Sequence, residues 1–167
     1  MAAMCVLATS LLTACTGGVP SPEPVSGTSS DVLSCPSAIG VGPLPTWAQV
    51  GFSPPGQPVR QVRGIRGQIL GVVFADPLQA PPKPGHGNKI LWLAAPGASS
   101  TSGPADPSAS AAMRIDATLA GGQLTVRRTV PGGPGPSLVD MPRAGCWRFD
   151  LTWDGHQDTV MLPYSPP

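Results

Sequence analysis

The stretch "GCWRFDLTWDGHQDTVMLPY" (residues 145–164) decides the fold. In its first half Trp147, Phe149, Leu151 and Trp153 alternate with Cys146, Arg148, Asp150 and Thr152. A period of two places the aromatic set on one side of a strand and the polar set on the other. In its second half Val160, Leu162 and Tyr164 again share one face. Asp154-Gly155 between them is a turn dipeptide that tolerates the positive φ of a tight hairpin. The stretch therefore predicts an antiparallel hairpin with one buried face.

The same pattern recurs upstream. "MRIDATLA" (113–120) alternates, with Met113, Ile115, Ala117 and Leu119 on one side, and Gly121-Gly122 follows as a turn. "QLTVRRTV" (123–130) runs back, with Leu124, Val126 and Val130 on one face and Arg128 interrupting it. "GQILGVVFA" (67–75) and "NKILWLAA" (88–95) are unbroken apolar runs of strand length, which predicts core strands. The segment 45–56 reads as a short apolar run that ends in a Pro-Pro-Gly turn. "DPLQAPPKPGHG" (76–87), with four prolines, and "PGGPGPS" (131–137) read as loops. The low-complexity stretch 96–111 reads as a loop as well. With 23 Pro, 21 Gly and no amphipathic helical pattern, the chain predicts about six or seven short strands. The expected fold is all-β, an antiparallel β-sandwich that is immunoglobulin-like in the broad sense.

Charge excludes one function class. Charged residues make up 11% of the 167-residue chain and the net charge is +1, which gives nucleic acid no basic face.

The N-terminus carries a different signal. Met1 to Ala14 has no charge, and its apolar run is too short to span a bilayer. It ends in "LLTACTGG" (11–18), followed by a Pro/Gly/Ser-rich stretch. Leu12-Thr13-Ala14-Cys15 resembles the lipobox of bacterial lipoproteins, and the Gly, Pro and Ala richness resembles those of actinobacterial type. The chain departs from the pattern in having no Lys or Arg before Arg60. The resemblance implies a signal peptide at 1–14, lipidation of Cys15, a disordered tether at 15–34 and a sandwich domain at 35–167. It implies a location at the cell membrane, lipid-anchored on the extracytoplasmic side. The terminal hairpin resembles that of small exported immunoglobulin-like domains. Of the four cysteines, Cys5 leaves with the signal peptide and Cys15 carries lipid. Cys35 and Cys146 remain, and in an oxidising compartment they are expected to form a disulfide.

No catalytic constellation stands out. His86 and His156 each lie in a turn; with Asp154 and Asp158 the latter reads as a hairpin tip, since a metal site needs more convergent ligands. There is no Gly-x-Ser-x-Gly elbow, and the one Glu, Glu23, lies in the tether. No metal, cofactor or enzymatic activity is expected. Trp47, Trp92, Trp147 and Trp153 invite a binding-platform reading, but an aromatic stripe at strand spacing more often forms core. "RQVRGIRG" (60–67) places Arg60, Arg63 and Arg66 every third residue. It reads as a solvated loop, and as a candidate surface for anionic headgroups or an acidic partner. The expected function is a membrane-anchored exported lipoprotein whose sandwich binds a protein partner or an envelope component. The loops 76–87, 96–112 and 131–144 are its candidate surfaces. The alternatives are an accessory subunit of an envelope complex and, least favoured, an enzyme with an unrecognised site.

Overall fold

The computed structural model describes residues 35–36, 39–98 and 112–167. Two antiparallel sheets pack face to face, which is the expected sandwich. The strands are β1 (Gly40–Pro43), β2 (Pro58–Arg63), β3 (Ile69–Val73), β4 (Lys89–Ala94), β5 (Met113–Leu119), β6 (Thr125–Val130), β7 (Pro136–Leu138), β8 (Gly145–Trp153) and β9 (His156–Tyr164). One sheet has the order β1-β2-β3-β4-β7 and the other β6-β5-β8-β9. The first four strands form a meander; β7 returns from the second sheet to pair with β4, and β8 crosses back to lie beside β5. No helix among the described residues is long and apolar enough to cross a membrane.

The alternating faces meet where the sequence predicts. Trp147, Phe149, Leu151 and Trp153 of β8 pack with Val160, Leu162 and Tyr164 of β9 and with Met113, Ile115 and Ala117 of β5. Val62, Ile69, Val73, Ile90 and Trp92 of the first sheet face them. Ring centroids of Trp92 and Phe149 lie 6.5 Å apart across the interior, and Phe149 stacks on Tyr164 at 6.3 Å. The Trp92 ring fits because its cross-strand neighbour is Gly71: a Cβ there would come within 2.9 Å of the indole. The β8–β9 turn has Asp154 at φ 41° and Gly155 at φ 76°, both left-handed as a two-residue hairpin turn requires.

β3 is buried along its whole length because both faces are covered. Leu70 and Val72 point away from the main core, and a short 3₁₀ turn (Thr46–Ala48) covers them with Leu44, Ala48, Trp47 and Phe52. A strand buried on both faces reads as a continuous apolar run rather than an alternation.

Three strands were not expected. β2 lies in the Arg-rich stretch read as a loop, and β7 lies in the Gly/Pro cluster. β1 is a four-residue edge strand with two glycines and a proline. The strand edges are blunted by Pro43, Pro136, Arg127 and Arg128. The edge of β9 is covered: Ile65 N–H donates to Thr159 O at 2.9 Å, and Ala80 and Ser165 N–H donate to Ser165 O and Leu78 O, both at 2.9 Å. Cys35 and Cys146 form a disulfide.

Candidate functional site

The three arginines singled out in the sequence do not form one patch. Arg60 and Arg63 lie on β2, and a spacing of three on a strand turns side chains to opposite faces. Arg60 shares its side with the core residue Val62 and pairs with Asp76 at 2.6 Å. Arg63 stands opposite Leu70 on the outer side, and Arg66 is in the β2–β3 turn. Cys15 and the segments read as signal peptide and tether lie outside the described residues, as does the loop from 99 to 111.

The two histidines are at opposite ends of the sandwich. His86 is exposed in the loop between β3 and β4, and its Nδ1 lies 3.3 Å from Pro84 O. His156 opens β9 and packs on Trp153, with ring centroids 5.9 Å apart. Asp158 is buried and serves as a backbone anchor. Its carboxylate accepts from Arg66 N and Gln68 N at 2.8 Å, from Ile69 N at 3.2 Å and from Thr159 N at 2.8 Å. Among the described residues no group of three His, Cys, Asp or Glu side chains is placed to hold a metal ion.

Three of the four tryptophans are core. Trp92, Trp147 and Trp153 are buried, and each Nε1–H has a partner: Ser137 Oγ at 2.9 Å, Arg143 O at 2.9 Å and Ala98 O at 2.8 Å. Trp47 is half-buried over the outer face of the first sheet. A cavity of about 290 Å³ runs from Trp47 and Val50 to Gly132 and Pro134, with Trp92 and Trp153 as its floor and no charged side chain in its lining.

A second concave feature is at the loop joining β3 to β4, one of the loops singled out as a candidate surface. Asn88 clamps this loop. Its Oδ1 accepts from Gln79 N at 2.8 Å; its Nδ2 donates to Gln79 O at 2.9 Å and to Asp140 Oδ1 at 2.7 Å. Its own backbone N–H also donates to Asp140 Oδ1 at 2.8 Å. A buried side-chain amide with every group satisfied fixes loop shape, since an unmade bond there would cost about 1–3 kcal/mol. The clamped loop encloses a cavity of about 470 Å³ lined by Phe74, Asp76, Lys83, His86 and Asn88 among others.

Beside the cavity, the outer face of the first sheet carries the row Phe74–Lys89–Leu138. Lys89 stands opposite Leu138 in register, and Phe74 N–H donates to Lys89 O. Phe74 is 54% and Leu138 59% exposed, and Lys89 Nζ sits 5.3 Å from the Phe74 ring centroid. Lys83 and Lys89 are the only lysines of the chain, and among the described residues neither is in an ion pair. An aromatic floor, an exposed leucine and two free ammonium groups suit a partner with apolar area and acidic groups.

The outer face of the second sheet differs. It presents Arg114, Asp116, Thr118, Arg127, Arg148, Asp150, Thr152 and Thr159, whose charges largely satisfy one another. Arg114 and Arg127 pair with Asp116 at 3.2 and 3.1 Å, and Arg148 pairs with Asp150 at 2.9 Å. This is a solvated sheet face, as its alternation predicts.

Of these features, the sequence pointed to the loop by its prolines but not to the cavity. The clamp depends on Asn88 and Asp140, 52 residues apart, and no local pattern joins them. No protein-family model, no curated protein and no solved structure matches this chain.

Proposed function

We infer that the chain is an exported lipoprotein, anchored through Cys15 on the extracytoplasmic side of the cell membrane, whose sandwich is a binding module rather than an enzyme. The module engages a protein partner or an envelope component through the face built by the 74–88 loop. The observation that carries this reading is the row Phe74–Lys89–Leu138 beside the clamped cavity. It leaves large apolar side chains exposed on a sheet whose remaining outer apolar residues are covered by residues 44–52. The Cys35–Cys146 disulfide supports export, because such bonds persist in oxidising compartments.

The anchor is tested by the intact mass of the protein from the membrane fraction of its host, with and without reductant. Cleavage before Cys15, added acyl mass and a gain of two hydrogens on reduction are expected. An unprocessed, lipid-free chain overturns the anchor. The binding face is tested by cross-linking in intact cells through a photoreactive residue at position 138. A discrete adduct that disappears with Phe74→Ala is expected; no adduct, or one indifferent to Phe74, overturns the assignment of the face.

A further inference from the structure

The β2–β3 turn is held more firmly than a surface loop needs, and what it holds outward is apolar. Asp158 binds two of its backbone N–H groups and that of Ile69, which opens β3, and Ile65 N–H is tied to Thr159 O at 2.9 Å. With its backbone fixed in this way, Ile65 is still 70% exposed. Arg63 and Arg66 flank it, both exposed and, among the described residues, in no ion pair. The nearest carboxylates are already committed, Asp158 to backbone donors and Asp150 to Arg148 and to Thr159 Oγ1. The ridge Arg63–Ile65–Arg66 is therefore a rigid apolar tip between two uncompensated cations.

The tether adds a second argument. Pro36 lines a cavity of about 420 Å³ together with Gly40, Val41, Gln61 and Arg63, and Val41 is 67% exposed. Cys35 is bonded to Cys146, which faces Pro163 of β9. The chain thus joins the domain beside the C-terminal part of β9, four residues along that strand from Thr159, to which the ridge turn is tied. On the lipid-anchored reading, on which this inference rests, 20 residues separate Cys15 from Cys35 and reach at most about 70 Å. A surface so tethered meets the bilayer at high effective concentration, so weak contacts suffice.

We propose that the ridge Arg63–Ile65–Arg66 docks the domain on the membrane surface, with the two guanidinium groups on anionic phospholipid headgroups and Ile65 in the interfacial layer. Arg suits this task because its planar fork pairs with phosphate oxygens in bidentate fashion. The five residues of β3, about 17 Å of strand, separate this turn from the 74–88 loop. Docking at the ridge therefore turns the cavity and the Phe74–Lys89–Leu138 row away from the bilayer, toward a partner.

The test uses the full chain with Cys15→Ser, so that acyl insertion plays no part, in co-sedimentation with two kinds of vesicle. One is phosphatidylcholine alone; the other is phosphatidylcholine and phosphatidylglycerol in equal parts. Binding is expected only to the anionic vesicles, and is expected to weaken as salt is raised. Arg63→Gln with Arg66→Gln is expected to weaken it about 25-fold, roughly fivefold per cation. Ile65→Ser is expected to weaken it about tenfold. Lys83→Gln with Lys89→Gln at the far end is expected to leave it unchanged. All these side chains are exposed, and unchanged tryptophan fluorescence confirms folding. Four outcomes overturn the proposal: no vesicle binding, equal binding to neutral vesicles, equal loss from the lysine pair, or equally tight capture by soluble poly-glutamate. Processing at Cys15 is scored separately by mass, so a missing anchor and a missing docking surface give different results.

Discussion

Replacing Asp158 by alanine removes the carboxylate that ties the β2–β3 turn of one sheet to the edge strand of the other. Four backbone N–H groups lose their acceptor, two of them on the turn and one on Ile69, which opens β3. Arg66 is exposed, so its N–H can turn to water; Gln68 is half-buried and Ile69 is 1% exposed, so theirs cannot do so freely. A hydrogen bond to a charged group is worth about 1.5–3 kcal/mol, and two such losses put the cost at about 3–6 kcal/mol. That is a large part of the ~5–15 kcal/mol by which domains are stable. Asp158→Asn keeps one acceptor oxygen but turns an NH₂ group toward N–H donors, and is expected to cost about 2–3 kcal/mol. Urea unfolding followed by tryptophan fluorescence measures both, with the midpoint falling in the order wild type, Asn, Ala and the slope unchanged. Amide exchange at Ile69 should accelerate in the alanine variant. An alanine variant within about 1 kcal/mol of wild type would refute the reasoning, because the turn would then be held by packing alone.

Other expectations follow from the same geometry. Gly71→Ala places a methyl group against Trp92, Val62 and Ile90 at 2.9–3.2 Å and should cost about 1–3 kcal/mol by overpacking, measured by denaturant unfolding. Removing the Cys35–Cys146 bond, which closes a separation of 111 residues, should lower stability by up to about 4–5 kcal/mol in the chain-entropy account; paired Cys35→Ser/Cys146→Ser unfolding curves test this, and an unchanged midpoint counts against it. Tyr164 donates to Val139 O at 2.6 Å, and burial first and the nearby Asp140 second hold its pKa well above the ordinary value of 10.0. The folded chain then keeps a proton that the unfolded chain loses, so stability is intact below about pH 10 and falls above it, by up to ~1.4 kcal/mol per pH unit. In Tyr164→Phe that alkaline slope should flatten, as thermal unfolding against pH would show.

The sequence by itself determined the parts of this protein whose pattern is local. The β8–β9 hairpin, β5 and the core strand β3 are legible because alternation and apolar runs are properties of neighbouring residues. Asp154-Gly155 is legible because its backbone conformation depends on those two residues alone. The Cys35–Cys146 pair followed from an expected compartment and a count of thiols. Tertiary structure decided what depends on which segment covers which face. β2 reads as a charged loop because its two faces meet different surroundings: Val62 enters the main core, Val59 lies under residues 44–52, and Arg60 escapes to Asp76 at the sheet margin. β7 is a strand only because β4 offers it an edge. Asp158 reads as a hairpin-tip residue and is instead the anchor of a turn some 90 residues away, since a buried carboxylate takes its partners from whatever backbone folding brings to it. The arginine spacing suggested one patch, but strand geometry gave Arg60 to Asp76 and left Arg63 and Arg66 to flank Ile65. The pattern of side chains along a strand is written in the sequence, whereas the pairing of distant donors, acceptors and faces exists only once the two sheets close on each other.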